Sequence, residues 1–228
     1  MMRTAWFTTI VVALVSHRLA HADRCQMTSV ELHVMEDPAR YMERVQAAIV
    51  ADEKSGALKP NTFSRQVPVP EDKNKPGAWH DTEYGVTSLD HTVLLKYFLQ
   101  LATMRSPKIT LDGNHRIAVL ESGVQGHPDQ HAYTAVIINA KAVLDADTFA
   151  SFEPVTDAGV GIKLTAAGGK AWAKATKAAI GHRMAVLVDG EAVADLRIGG
   201  QVTSGVLTIY MPTKADAEAL AKRIQFCR

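Results

Sequence analysis

Residues 159–198, GVGIKLTAAGGKAWAKATKAAIGHRMAVLVDGEAVADLRI, decide the fold. Gly159 to Leu164 reads as a short strand, Thr165 as the N-cap of a helix running to about Ile180, and Gly181 falls where a left-handed C-terminal cap is wanted. On that helix Ala171, Trp172, Ala175, Thr176, Ala179 and Ile180 share one apolar stripe of mostly small side chains. A helix with such a stripe can lie close to a sheet. Met184 to Val188 is the next strand, Asp189-Gly190 a strong hairpin turn signal, and Ala192 to Ile198 the returning strand.

Toward the C-terminus, Gly199-Gly200 and Ser204-Gly205 punctuate the path to another strand, Val206 to Tyr210. Thr213 and Asp216 then stand at the spacing of a capping box and open a helix carrying Ala217, Leu220, Ala221 and Ile224, although Asp is a shorter arm than the usual Glu. The order from residue 159 onward is β-α-β-β-β-α. That pattern predicts an α+β fold with a mixed, mainly antiparallel sheet and helices packed on one face.

Toward the N-terminus, Ser29 to Met35 alternates Val30, Leu32 and Val34 with Glu31 and His33, the mark of a strand with one buried face. Asp37-Pro38 begins a helix with Tyr41, Val45, Ala48 and Ile49 on one side, ending near Ala51. From about 53 to 82 periodicity gives way to Pro60, Pro68, Pro70 and Pro76 among lysines, which reads as a long excursion. Ser88 or Asp90 caps a helix to about Met104 that buries Val93, Leu94, Tyr97, Phe98 and Leu101 and stops before Pro107. Lys108 to Leu111 and His115 to Leu120 read as strands around Asp112-Gly113-Asn114, and Tyr133 to Asn139 as a third. The expected organisation is therefore residues 1–22, an N-terminal α+β region at 23–140, and a C-terminal subdomain at 141–228.

The C-terminal region resembles the head subdomain of the first periplasmic loop of SecD and SecDF, the protein-export membrane subunits. The residues that carry the resemblance are Val143 to Asp147, Gly161 to Gly168 with Trp172 and Thr176, Gly181 to Gly190, Ser204-Gly205, and Thr213 to Ala221. Within these, Thr165, Gly168, Trp172, Thr176, Gly181, Asp189, Gly190 and Gly205 form the motif. The ordered succession carries the likeness, and no single piece of it would. More weakly, Pro107-Lys108-Ile109 and Gly113 to Ile117 look like an earlier part of the same loop. The pattern departs where Ala194-Asp195-Leu196-Arg197 replaces an Ala-Pro and a Gly-Gly-rich segment, and where Tyr210-Met211-Pro212 stands in place of a Gly before the last helix. No transmembrane helices with charged residues accompany the region, so energy coupling is not part of what the resemblance implies.

Residues 1–22 have the three parts of a secretory signal: a cationic start at Arg3, an apolar run from Thr4 to Val15, and Ala20-His21-Ala22 as an exit acceptable to signal peptidase. The apolar run is about twelve residues where a membrane-crossing helix needs roughly 20. Cleavage between Ala22 and Asp23 is expected, with a periplasmic or secreted product. The alternative is an uncleaved anchor. The precursor carries a net charge of +1, and losing Arg3 and Arg18 takes it to −1. No basic field exists to attract nucleic acid. The two cysteines, Cys25 and Cys227, lie near the ends of the mature chain in an oxidising compartment, so a disulfide is expected. Closing a loop of about 200 residues would contribute on the order of 4–5 kcal/mol in the chain-entropy model. Two unpaired thiols are the alternative.

Motifs for chemistry are weak. His127 and His131 are four apart with His115 upstream and Asp129 between, but Gly126 and Pro128 argue for a loop, and the Glu of a metalloprotease helix is missing. Ser122-Gly123 and Ser204-Gly205 lack the Gly-x-Ser-x-Gly elbow. Gly159-x-Gly161 precedes a strand, which excludes a dinucleotide loop. His182-Arg183 reads as a solvated strand start, Trp172 and Phe226 as core, and Asp189-Gly190 as turn geometry alone. No catalytic residue, cofactor or metal site is assigned. The expectation is a non-enzymatic envelope module that contacts polypeptide leaving an export channel, by strand addition at an open sheet edge or in an apolar groove. The alternatives are an adaptor for an unrelated envelope partner and a metal-dependent enzyme with an unrecognised site.

Overall fold

The computed structural model describes residues 29–36, 40–66, 85–124, 127–155, 158–211 and 213–225. Among the described residues ten strands form two sheets, accompanied by four α-helices. The larger has the order β1(Val30–Val34), β8(Arg183–Val188), β9(Glu191–Arg197), β4(His115–Val124), β5(His127–Asn139), β3(Gly85–Ser88), β2(Ser64–Gln66). All its pairings are antiparallel except β4 with β9, which meet in parallel at Leu120 and Ala192. The smaller sheet is β10(Val206–Tyr210), β7(Gly159–Leu164) and β6(Phe149–Val155), antiparallel throughout. The fold is the expected α+β class.

The larger sheet curls back on itself. Past Val34 the chain bridges Met35 to Ile138 of β5, and the Glu36 N–H donates to the Ile137 carbonyl at 2.9 Å. Met35, Ala118, Val136, Ile138, Ala185, Leu187 and Ala192 fill the inside of the curl. Because side chains alternate across a strand, the other faces serve separate cores. Ala135 and Ile137 of β5 pack under α1(Tyr41–Ser55) and α2(His91–Thr103), with Met42, Val45, Ile49, Leu94 and Phe98. Leu32, Val186 and Val188 pack with β7, β10, α3(Ala166–Ala178) and α4(Lys214–Gln225) around Trp172, Ile162 and Ile209. Strand β8 is buried on both faces, which is why it reads as a continuous apolar run.

Several sequence expectations are corrected. Glu31 and His33 do not form an open solvent face: His33 is 1% exposed, and Glu31 beside it is part-buried. Lys108 to Leu111 is not a strand, because its backbone is used elsewhere. The Ile109 N–H donates to the Leu101 carbonyl at 2.9 Å, closing the end of α2, and the Lys108 carbonyl accepts from Arg44 at 2.8 Å. His127 and Pro128 belong to a strand rather than a loop, since β4 and β5 continue their hairpin to Val124–His127. Phe149–Val155 is a strand that its Glu-Pro end concealed, preceded by a 3₁₀ turn at Ala146–Thr148. Val93 and Ile180, expected on buried stripes, are exposed, the first in the opening turn of α2 and the second beyond the end of α3. Glu53–Ser55 complete α1, and Ser64–Gln66 form β2, so part of the stretch 53–82 has regular structure.

Candidate functional site

The motif residues hold the scaffold around α3 and the β8–β9 hairpin. Thr165 caps α3 through its hydroxyl oxygen, which accepts from the Gly168 N–H at 3.1 Å. Gly168 faces the 3₁₀ turn so closely that only hydrogen fits, a β carbon there lying 3.0 Å from the Thr148 β carbon. Trp172 is buried, and Thr176, fully buried, donates to the Trp172 carbonyl at 2.8 Å while accepting from the Val202 N–H at 3.0 Å. Gly181, Gly190 and Gly205 have φ of 87°, 82° and 65°, open to glycine at little cost. Asp189, also left-handed at φ 53°, does more than turn the chain: it accepts from the Ser29 N–H at 2.9 Å and pairs with Arg223 of α4. Cys25, Cys227, Ala22, Asp23 and Phe226 lie outside the described residues.

Titratable side chains gather where β1 meets β4 and β5. His33 places Nδ1 2.7 Å from the Asn139 carbonyl, which can only accept, so Nδ1 carries the hydrogen. Its Nε2 then faces both Arg116, at 2.8 Å, and Glu31, at 2.9 Å, which are themselves paired at 2.8 Å. Burial alone would raise the Glu31 carboxyl, but the bonds from His33 and Arg116 outweigh it and hold the group below the usual carboxylate range. Next to this cluster His115 lies between Asp112 at 2.8 Å and Glu36 at 3.3 Å. Burial opposes its protonation, yet the two carboxylates prevail and raise its pKa. At the α1–α2 contact the Tyr97 hydroxyl donates to Asp52 at 2.7 Å, and Arg105 donates to the same oxygen at 2.9 Å. These arrangements fasten strands and helices to one another. Among the described residues no group of three His, Cys, Asp or Glu side chains is placed to hold a metal ion, and His131 is bound to Glu121 at 2.8 Å.

The sheet edge at β10 is arranged differently. The Leu164 N–H donates to the Gly205 carbonyl, and the Met211 N–H to the Ala158 carbonyl, so odd-numbered residues of β10 turn their backbone groups toward β7. Even-numbered residues turn theirs outward. Leu207 and Ile209 point into the core, while Val206 and Tyr210 are 44% and 72% exposed. An open groove of about 570 Å³ runs from the start of this strand along α3, between Ser204, Val206, Lys163, Lys170 and Ala173.

Residues 119–226 match the family model described as SecDF, P1 head subdomain. This part of the chain is similar to the SecDF P1 head. The match begins within β4 and ends past α4. Similar solved structures include a membrane component SecDF that enhances protein export, with a TM-score of 0.37 and 16% identity over 86% of this chain and 92% of that one. SecDF in a super-membrane-facing form gives 0.36 and 14% over 87% of this chain, and SecDF, a translocon-associated membrane protein from Thermus thermophilus, gives 0.34 and 13% over 86%. The chain spans 28% of each of these last two. No curated protein matches it significantly. Among the described residues no helix is long and apolar enough to cross a membrane.

Proposed function

We propose that the protein is an exported, non-enzymatic module that holds extended polypeptide during or after its passage across the inner membrane. The observation that carries this reading is the match of residues 119–226 to the SecDF P1 head. The sequence of residues 1–22 supports export, with cleavage between Ala22 and Asp23 and release into the periplasm. Cys25 and Cys227 then form a disulfide that ties the two ends of the mature chain together. The protein acts by binding, with no cofactor, and among the described residues no helix is long and apolar enough to cross a membrane.

The test is binding of the purified exported protein to a permanently unfolded chain, reduced and carboxymethylated α-lactalbumin, against the same protein folded. Selective retention of the unfolded form is expected. Equal affinity for both, or for neither, overturns the reading. Intact mass of the periplasmic product tests the start at Asp23 and the disulfide, each through its own mass difference.

A further inference from the structure

Every open sheet has edges, and natural proteins guard them with charge, proline, bulges or shortness. The edges here differ in this respect. β1 is covered by Val143 and Leu144, which exchange hydrogen bonds with Leu32 at 2.7 and 2.9 Å. β2 is three residues long and includes Arg65. β6 has a register shift between Phe149 and Ser151 and carries Glu153 and Pro154. β10 has none of these devices: Val-Leu-Thr-Ile-Tyr is uncharged, free of proline and in unbroken register with β7.

Along β10 the outward backbone groups belong to Val206, Thr208 and Tyr210. Those of Val206 are engaged locally, its carbonyl accepting from the Ser204 hydroxyl at 3.0 Å. Thr208 and Tyr210 have no described partner on that side. We infer that an extended polypeptide segment adds to the smaller sheet as a fourth strand along β10, bonded to the N–H and C=O groups of Thr208 and Tyr210. This rests on the polypeptide-holding reading and names its site. Main-chain bonds give affinity without reading sequence, as a module meeting many different chains requires. The occupant is a single strand rather than a second copy. A five-residue edge covers far less than the roughly 1,200 Å² that a stable interface between folded proteins buries. The Val206 and Tyr210 side chains, both on the solvent face, would flank alternate residues of the added strand.

The probe is again reduced, carboxymethylated α-lactalbumin, with the full exported protein. Thr208→Lys puts a charged guard on the solvent face without touching the bonds to β7, and Thr208→Pro removes the outward donor. Ser151→Lys, on β6, is the control. Both Thr208 variants are expected to weaken binding by about tenfold or more, with Ser151→Lys within about twofold. In the wild type the Thr208 and Tyr210 amides should exchange quickly when free and slowly when bound. If Thr208→Pro melts early, Thr208→Lys and the exchange data decide. If the wild type binds but Thr208→Lys binds equally well and the two amides stay unprotected, the β10 site is wrong while the holding reading stands. If the wild type binds nothing unfolded, both fail. If sedimentation shows a wild-type dimer that Thr208→Lys dissociates, the edge belongs to a second copy and the inference is overturned.

Discussion

Gly168, in the first turn of α3, lies against the carbonyl oxygen of Thr148 so closely that a β carbon at this position would overlap it. The obstructing atom is backbone, and Thr148 is held by its own bonds to Asp145 and to the Thr165 N–H. A glycine in a helix ordinarily costs up to about 1 kcal/mol relative to alanine. Here the sign reverses. Gly168→Ala should destabilise by on the order of 1–3 kcal/mol through overpacking. The next residue is the control: a β carbon on Gly169 meets Gly205 at an ordinary 3.6 Å, so Gly169→Ala should stabilise by up to about 1 kcal/mol. Urea denaturation of the two variants checks the contrast.

The Asp189 turn joins the N-terminal strand to the C-terminal helix. Ser29 and Asp189 exchange bonds at 2.8 and 2.9 Å, and Arg223 reaches Asp189 at 3.4 Å and Glu191 at 3.1 Å. Asparagine tolerates the left-handed conformation and keeps an oxygen for Ser29, whereas alanine does neither. Asp189→Ala should therefore cost about 1–3 kcal/mol. Asp189→Asn loses only the partly solvated pairing with Arg223, about 1 kcal/mol or less. The order wild type, Asn, Ala in midpoint denaturant is the expected outcome.

Local signals were legible wherever backbone chemistry is local. Thr165, Asp90, Asp189-Gly190 and the alternation in Val206–Tyr210 each state a cap, a turn or a strand within a few residues, and the structure follows them. What was not legible depends on partners far along the chain. Glu31 and His33 read as a solvent face because nothing nearby in sequence announces Arg116, 85 and 83 residues away. Lys108 to Leu111 has the alternation of a strand, yet Ile109 spends its N–H on Leu101. Pro154 hid β6, since proline is admitted to strands only at edges. The β10 edge itself was invisible, because its openness is a matter of which neighbour a strand does not have.

His115 gives a pH dependence with a defined sign. Its folded pKa is raised above the ordinary 6.5, so its contribution is complete below that value and fades as pH rises through the folded pKa. Asp112, held below its ordinary 3.8 chiefly by the bond from His115, contributes above that value and loses its part as pH falls through the depressed one. The pairing is therefore whole between these limits. His115→Asn should be more destabilising, relative to wild type, at about pH 5.5 than at about pH 8.5. Thermal melts of both proteins at the two pH values check this, and an unchanged difference would count against the pairing.

Thr176 makes a last case in which size and chemistry diverge. Valine matches its shape, and a fully buried position between Trp172 and Val202 looks suited to it. The hydroxyl, however, gives its hydrogen to the Trp172 carbonyl and receives the Val202 N–H, and that N–H has no other described acceptor. The Trp172 carbonyl keeps the ordinary helical acceptor role, so losing the hydroxyl orphans chiefly the Val202 donor. An unpaired, partly buried donor costs about 1–3 kcal/mol. Thr176→Val should destabilise by that amount, and the Val202 amide should exchange faster than in the wild type. Thr176→Ser keeps both bonds and loses one buried methyl, so it should retain slow exchange at Val202 even though it also lowers stability, by about 1 kcal/mol. The amide thus separates the two causes: protection follows the hydroxyl, while stability follows both the hydroxyl and the methyl.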